Sequence, residues 1–117
     1  MMQRFDLPLC PTANNLYLNP PKPHMRRPPS RLYQDWKWAA YYDLKKQDYS
    51  RIEGKYILRI FVPDSLRYDG SNRIKAVEDF LKDWVTPDDR YCVKVSAEKR
   101  ADIPAGRMAV EVEEWKA

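Results

Sequence analysis

The strongest folding signal in the chain is an apolar stripe at three- and four-residue spacing within residues 74–85. The stripe consists of Ile74, Val77, Phe80, Leu81, Trp84 and Val85. Such spacing predicts an amphipathic helix that buries one face against a core and leaves the charged face in solvent. We expect this helix to begin near Ser71 and to end before Pro87, since proline cannot continue a helix.

The remaining segments predict a sheet and a second helix around this one. Residues 4–9, 55–62, 91–98 and 107–114 have the composition of strands, and the last two are predicted to pair as an antiparallel hairpin. Ser30 is a plausible N-cap for a helix over residues 31–48. The predicted order is β-α-β-α-β-β. It indicates a small α/β (mixed α+β) domain over residues 1–117, with two helices packed on a mixed sheet.

A proline-rich loop precedes the first predicted helix. Residues 10–29 contain six of the ten prolines, which favours an extended loop without regular structure. Basic residues concentrate in this loop and near the C-terminus, although the net charge is only +4. Candidate aromatic contacts to bases near the loop are Tyr17, Tyr33, Trp36 and Trp38, of which Trp36 has the helical spacing of a core residue.

Composition excludes several classes of protein. No apolar run reaches the roughly 18 residues of a membrane-spanning helix, and the N-terminus lacks the apolar segment of a signal peptide. We therefore expect a cytoplasmic protein, associated with the nucleoid if it binds DNA. Cys10 and Cys92 lie outside any Cys-x-x-Cys motif, and His24 is the only histidine, so we expect free thiols and no zinc site.

Acidic residues lie at both ends of the predicted helix 71–85. Asp69 precedes the helix, and Asp88 and Asp89 follow it. A helix of this length separates its ends by roughly 20 Å, so Asp69 and Asp89 can converge only if the chain folds back or the helix is short. Taken singly, each residue also fits a structural role: Asp69 as a helix cap, Asp88 and Asp89 as turn residues, and Lys75 as a solvated lysine.

In combination, these residues form an ordered pattern. Asp69, Asn72, Lys75, Asp79 and the pair Asp88-Asp89 follow one another after the segment PTANNLY at residues 11–17. The pattern resembles the RusA family of Holliday-junction resolvases (crossover junction endodeoxyribonucleases). That family carries an Asp-x-Asp-Asn segment, a later lysine, an Asp-Asp pair and an N-terminal Asn-x-x-Tyr-like segment. The resemblance covers nearly the whole chain.

The resemblance implies a Mg²⁺-dependent endonuclease that acts on four-way or branched DNA as a homodimer. It assigns catalysis to Asp69, Asp89 and Lys75, with Asp69 and Asp89 as Mg²⁺ ligands and Ser71 and Asp88 as further candidate ligands. Carboxylates suit a hard cation that activates water, and a lysine can stabilise the charged transition state. Expected DNA-binding residues are Arg26, Arg27, Arg31, Arg67, Arg73 and Lys99, and expected supporting residues are Asn72 and Asn14.

Ser71 is where the sequence departs from the family pattern, because it replaces the second aspartate of Asp-x-Asp-Asn. A serine hydroxyl is a weaker ligand for a hard cation than a carboxylate. Either Glu78, Asp79, Asp88 or a water compensates, or the protein is a branched-DNA-binding module with weakened or lost cleavage. A nuclease for another branched or single-stranded substrate is a third reading.

Overall fold

A four-stranded sheet organises the part of the chain that the computed structural model describes, residues 2–20, 26–67 and 70–116. The strands are β1 (Met2–Pro8), β2 (Tyr56–Pro63), β3 (Cys92–Arg100) and β4 (Arg107–Glu114), in the spatial order β1-β4-β2-β3. The helices are α1 (Arg31–Leu44) and α2 (Ile74–Trp84). The mixed α+β class and the predicted order of helices and strands are confirmed.

The predicted hairpin between the last two strands is wrong. β3 and β4 are separated by β2, which pairs in parallel with β3 and antiparallel with β4. β2 is buried along most of its length, so a partner on each edge satisfies its backbone groups out of water. β3 and β4 therefore take opposite edges of β2 instead of pairing with each other.

Both helices pack on the same face of the sheet. The stripe of α2 buries Ala76, Val77, Phe80 and Leu81 in one core cluster with alternate residues of β2 and with the inner face of α1. Trp36 of α1 belongs to this core, as its spacing predicted, and its indole N–H donates to the Pro8 carbonyl at 2.8 Å. The opposite face of the sheet carries a smaller apolar cluster around Phe61.

The first helix begins where the sequence predicted. The Ser30 hydroxyl oxygen accepts a hydrogen bond from the backbone N–H of Tyr33 at 3.1 Å and donates to the Asn15 carbonyl at 2.6 Å. This N-cap joins the helix to the preceding loop. The helix ends at Leu44, four residues earlier than expected.

The segment β2-α2-β3 is a crossover between two parallel strands, and it positions the predicted site. A short 3₁₀ helix, Gly70–Arg73, leads into α2, and a second one, Asp89–Tyr91, leads into β3. In the described residues, no helix has both the length and the apolar character needed to span a membrane.

Candidate nuclease site

The start of α2 is packed tightly against the sheet. A side chain at Gly70 would place its Cβ 3.0 Å from the Cβ of Ala97 in β3 and 3.3 Å from a methyl group of Val62 in β2. Glycine therefore lets the segment that follows β2 approach the parallel pair of strands. Tyr68 and the predicted ligand Asp69 lie outside the described residues.

Asn72, in the 3₁₀ helix that leads into α2, has a buried polar atom without a hydrogen-bond partner in the described part of the chain. Its side-chain oxygen Oδ1 is buried and has no hydrogen-bond partner among the described residues. A buried acceptor without a donor costs roughly 1–3 kcal/mol, so a bound water, an ion or a functional role is needed to account for this atom. The neighbouring Ser71 is exposed.

One turn further along α2, acidic side chains gather around Lys75. The Lys75 ammonium lies 3.5 Å from a carboxylate oxygen of Asp79. The pKa of Glu78 is raised, first by burial and then by the nearby carboxylates of Asp89 and Asp79, while Lys75 opposes the shift. The effect of Asp89 on Glu78 means that the turn after α2 brings the Asp89 carboxylate within electrostatic range of this helix.

Asp88 has a local structural role. One of its carboxylate oxygens accepts a hydrogen bond from the backbone N–H of Arg90 at 3.1 Å, which caps the 3₁₀ helix that leads into β3. This hydrogen bond is the main reason that the pKa of Asp88 is lowered. Asp89 adds to the lowering through a side-chain hydrogen bond with Asp88, so the two adjacent aspartates interact with each other in this turn.

A basic cleft of about 820 Å³ opens beside this acidic group. Arg26, Arg27 and Lys75 line it together with Tyr17, Pro28 and Pro29. The two arms of the proline-rich loop are held together by backbone hydrogen bonds from Leu18 to Pro28 and from Ser30 to Leu16, both 2.8 Å. The Arg27 guanidinium also donates to the carbonyls of Tyr17 and Leu18, which holds this cation against residues 17–18.

The other predicted DNA-binding residues are distributed around this centre. Arg31 is exposed and forms an ion pair with Asp35 at 3.7 Å. Arg73 donates from its guanidinium to the Cys10 carbonyl. Lys99 donates to the Leu66 carbonyl at 2.7 Å and so holds the end of β3 against the loop that follows β2.

Two further predicted residues are exposed. Arg67 lies in the loop after β2, and Asn14 lies in the short 3₁₀ helix Ala13–Asn15. The predicted free thiols are confirmed for both Cys10 and Cys92. Burial raises the pKa of the Cys10 thiol to about 12, which leaves it protonated and unreactive at neutral pH.

The described residues supply oxygen ligands suited to Mg²⁺, but no preformed cage. Outside residues 1, 21–25, 68–69 and 117, no three His, Cys, Asp or Glu side chains lie close enough together to hold a metal ion. Mg²⁺ is commonly held by one or two carboxylates and several waters. Burial and then the nearby carboxylates of Asp89 and Asp79 raise the pKa of Glu78, and a cation bound near Glu78 and Asp89 would oppose the part due to like charge. The carboxylate oxygens of Glu78 and Asp89 are therefore the type of ligand that Mg²⁺ prefers.

Sequence reasoning missed one feature of this region. Tyr41 of α1 and Trp84 of α2 stack with ring centroids 4.3 Å apart and border a small cleft between the helices. Both rings are half-buried at the boundary between core and solvent. Their apolar spacing in the sequence therefore does not distinguish them from ordinary core residues. Pairing the two helices in space reveals the cleft.

Comparison with known protein families identifies a match over most of the chain. Residues 22–113 of the 117-residue chain match the sequence profile of the family described as endodeoxyribonuclease RusA. The match includes Arg26 and Arg27 of the proline-rich loop, α2 and the Asp88-Asp89 turn, and it begins after the segment PTANNLY at residues 11–17. No curated protein sequence matches the chain.

Proposed function

We propose, from the premise that this chain belongs to the RusA family of endodeoxyribonucleases, that it is a Mg²⁺-dependent enzyme that resolves four-way DNA junctions in the cytoplasm. The family assignment supports a nuclease. The metal, the junction substrate and the paired mode of cutting are our proposals, and the geometry around Lys75 supports phosphodiester hydrolysis at this site.

The observation that carries the proposal is that Lys75 belongs to two surfaces. Its side chain lines the basic cleft with Arg26 and Arg27, and its ammonium pairs with Asp79 beside Glu78 and Asp89. A phosphate bound by the arginines would thus lie next to the carboxylates. This is the juxtaposition that hydrolysis of a phosphodiester requires, because the cations bind the backbone while the acids act at the scissile bond.

Each described residue then has a distinct task. Arg26 and Arg27 hold the flanking phosphates, and Lys75 neutralises the charge that builds on the phosphate oxygens in the transition state. Asp89 and Glu78, together with Asp69, would hold Mg²⁺. When bound, the cation supplies a water activated for attack and stabilises the leaving oxygen.

We propose a homodimer, since resolving a junction requires cuts in two opposing strands. The dimer is supported by the open edge of β3. No strand in the described part of the chain pairs with this edge, and Val93 and Val95 of β3 are 45% and 38% exposed. An unpaired edge with exposed valines is a surface that natural proteins usually cover.

The decisive experiment compares cleavage with binding. Asp69→Asn should lower Mg²⁺-dependent cleavage of a four-way junction by more than about a hundredfold. Junction affinity should change little, because the basic cleft is intact. Asp64→Asn is a matched control, since Asp64 is exposed at the end of β2.

The outcomes also separate the alternative functions. Normal cleavage by Asp69→Asn would remove the proposed site. Tight binding without cleavage by the native protein in Mg²⁺ would favour the binding module. Preference for flap or single-stranded DNA over the junction would favour a nuclease with a different substrate.

A further inference from the structure

A second cleft, of about 230 Å³, lies between α1 and α2. Its walls are mainly aromatic, and Tyr41 and Trp84 stack within it at an interplanar angle of 23°. Trp38 stands at its rim with 72% of its surface exposed. An exposed indole beside a stacked aromatic pair offers flat π surfaces to a planar ligand.

The volume limits what this cleft can receive. Clefts that enclose drug-sized ligands measure roughly 300–1,000 Å³, so this one suits a single planar ring system. Polar groups are also available at its margin, since Gln34, Lys37 and Asp83 contribute to the lining. An amide and a carboxylate can hydrogen-bond to the edge of a heterocycle, and an ammonium can bind an attached phosphate.

The aromatic cleft is joined to the basic cleft through α1. The Gln34 side-chain amide donates to the Pro29 carbonyl at 3.2 Å, and Pro29 lines the basic cleft. Tyr33 lies between the two clefts: its ring meets that of Tyr17 edge-on at 5.7 Å, and the Lys37 ammonium lies 4.2 Å from its centroid. Tyr33 is itself buried, so a DNA strand that reaches the aromatic rings from Arg26 and Arg27 would have to pass over the half-buried Lys37, which lines the aromatic cleft.

We propose that the aromatic cleft between α1 and α2 receives an unstacked nucleobase from the DNA strand bound in the basic cleft. This inference rests on the proposed DNA-binding function and adds a base-binding site to it. Stacking of a base on an aromatic side chain contributes roughly 1–3 kcal/mol and tolerates any sequence. At a branch point, where bases can leave the helical stack, such a site would favour branched over linear duplex DNA.

The test measures binding of an oligothymidylate of about ten nucleotides without divalent metal. Tryptophan fluorescence is followed in a Trp115→Phe background, because Trp115 is exposed outside the cleft. A base stacked in the cleft should quench the emission in a saturable way. Trp38→Ala should weaken binding by about tenfold. Its high exposure makes this change compatible with the fold.

Tyr42→Leu is the matched control, since Tyr42 is a 54% exposed aromatic residue of α1 that does not line the cleft. It should bind the oligonucleotide like the parent protein. The proposal is overturned if the parent protein does not bind the oligonucleotide, or if Trp38→Ala and Tyr42→Leu behave alike. Junction cleavage in Mg²⁺, measured separately on the same proteins, reports on the nuclease function, so failure of one proposal can be told from failure of the other.

Discussion

At the scale of single residues, Glu78 links the stability of the fold to the proposed metal site. Its carboxyl is partly buried near Asp89 and Asp79, and its pKa is raised for these reasons. The folded state therefore favours the protonated form. The stabilisation from protonated Glu78 is fully present below the pKa that Glu78 has in the unfolded chain. It is lost as the pH rises through the pKa that Glu78 has in the folded protein.

We therefore expect Glu78→Gln to stabilise the metal-free protein at pH 7–8. Because the side chain is only partly buried and solvent screens its charge, the gain should be small, about 1–3 °C in Tm. This gain in Tm should shrink as the pH falls toward 4.5, which is the ordinary pKa of a glutamate carboxyl. Thermal unfolding between pH 4 and 8 measures it, with the exposed Glu53→Gln as control. A gain independent of pH would contradict this account.

Ser71 offers a second test at this scale. If Glu78 or Asp88 supplies the charge that the family places at position 71, Ser71→Asp adds a further carboxylate near acids that are already crowded. Like charge raises carboxyl pKa values and disfavours the ionised ligand set. We expect Mg²⁺-dependent cleavage to fall several-fold, measured beside Ser71→Asn, which adds similar bulk without charge. A variant that activates an inactive native protein would instead identify Ser71 as a lost ligand.

At the scale of elements, the proline-rich loop is the main expected contact to the DNA backbone. Replacing Arg26 and Arg27 with alanine should reduce the slope of log K against log salt by about 1.8 for duplex arms, since each phosphate contact contributes about 0.9. The matched control replaces Lys45 and Lys46, two exposed cations just after the far end of α1. An unchanged slope for the arginine pair would place the DNA elsewhere.

The elements themselves were largely predictable, and their pairing was not. The stripe of α2, the Ser30 cap and the β4 boundaries follow from local spacing and local hydrogen bonds. The hairpin prediction failed because the local sequence pattern of β3 and β4 is the same whether they pair with each other or with opposite edges of β2. The near-continuous apolar run of β2 was the signal that this strand needed two neighbours.

The site was predictable only in part for a related reason. The helix length set a distance between Asp69 and Asp89, but nothing local indicated that Asp89 comes within electrostatic range of Glu78. Tertiary packing brings Glu78 close to Asp89. It also brings Lys75 to the cleft lined by Arg26 and Arg27 of the proline-rich loop. The aromatic cleft was missed because it requires two helices to be adjacent.

At the scale of the whole molecule, the exposed edge of β3 predicts self-association. Light scattering at micromolar concentration should give twice the 14.0 kDa mass of one chain. Val95→Lys should shift the population toward monomer, because it replaces an exposed apolar side chain at the proposed contact with a further charge in a strand that already carries Lys94 and Lys99. Leu32→Lys is the control, since Leu32 is 56% exposed on α1. A native protein that stays monomeric with bound junction would exclude paired cutting by a dimer.

The position of β4 has a consequence for how the protein is made. β4 lies between β1 and β2, and its register pairs Met2 with Glu113. During translation, β1 and β2 thus emerge from the ribosome long before the strand that joins them. Such sequence-distant pairing slows folding and leaves strand edges exposed in the nascent chain. A ribosome that stalls before residue 107 would hold a chain that cannot assemble this sheet, and such chains are natural clients for chaperones.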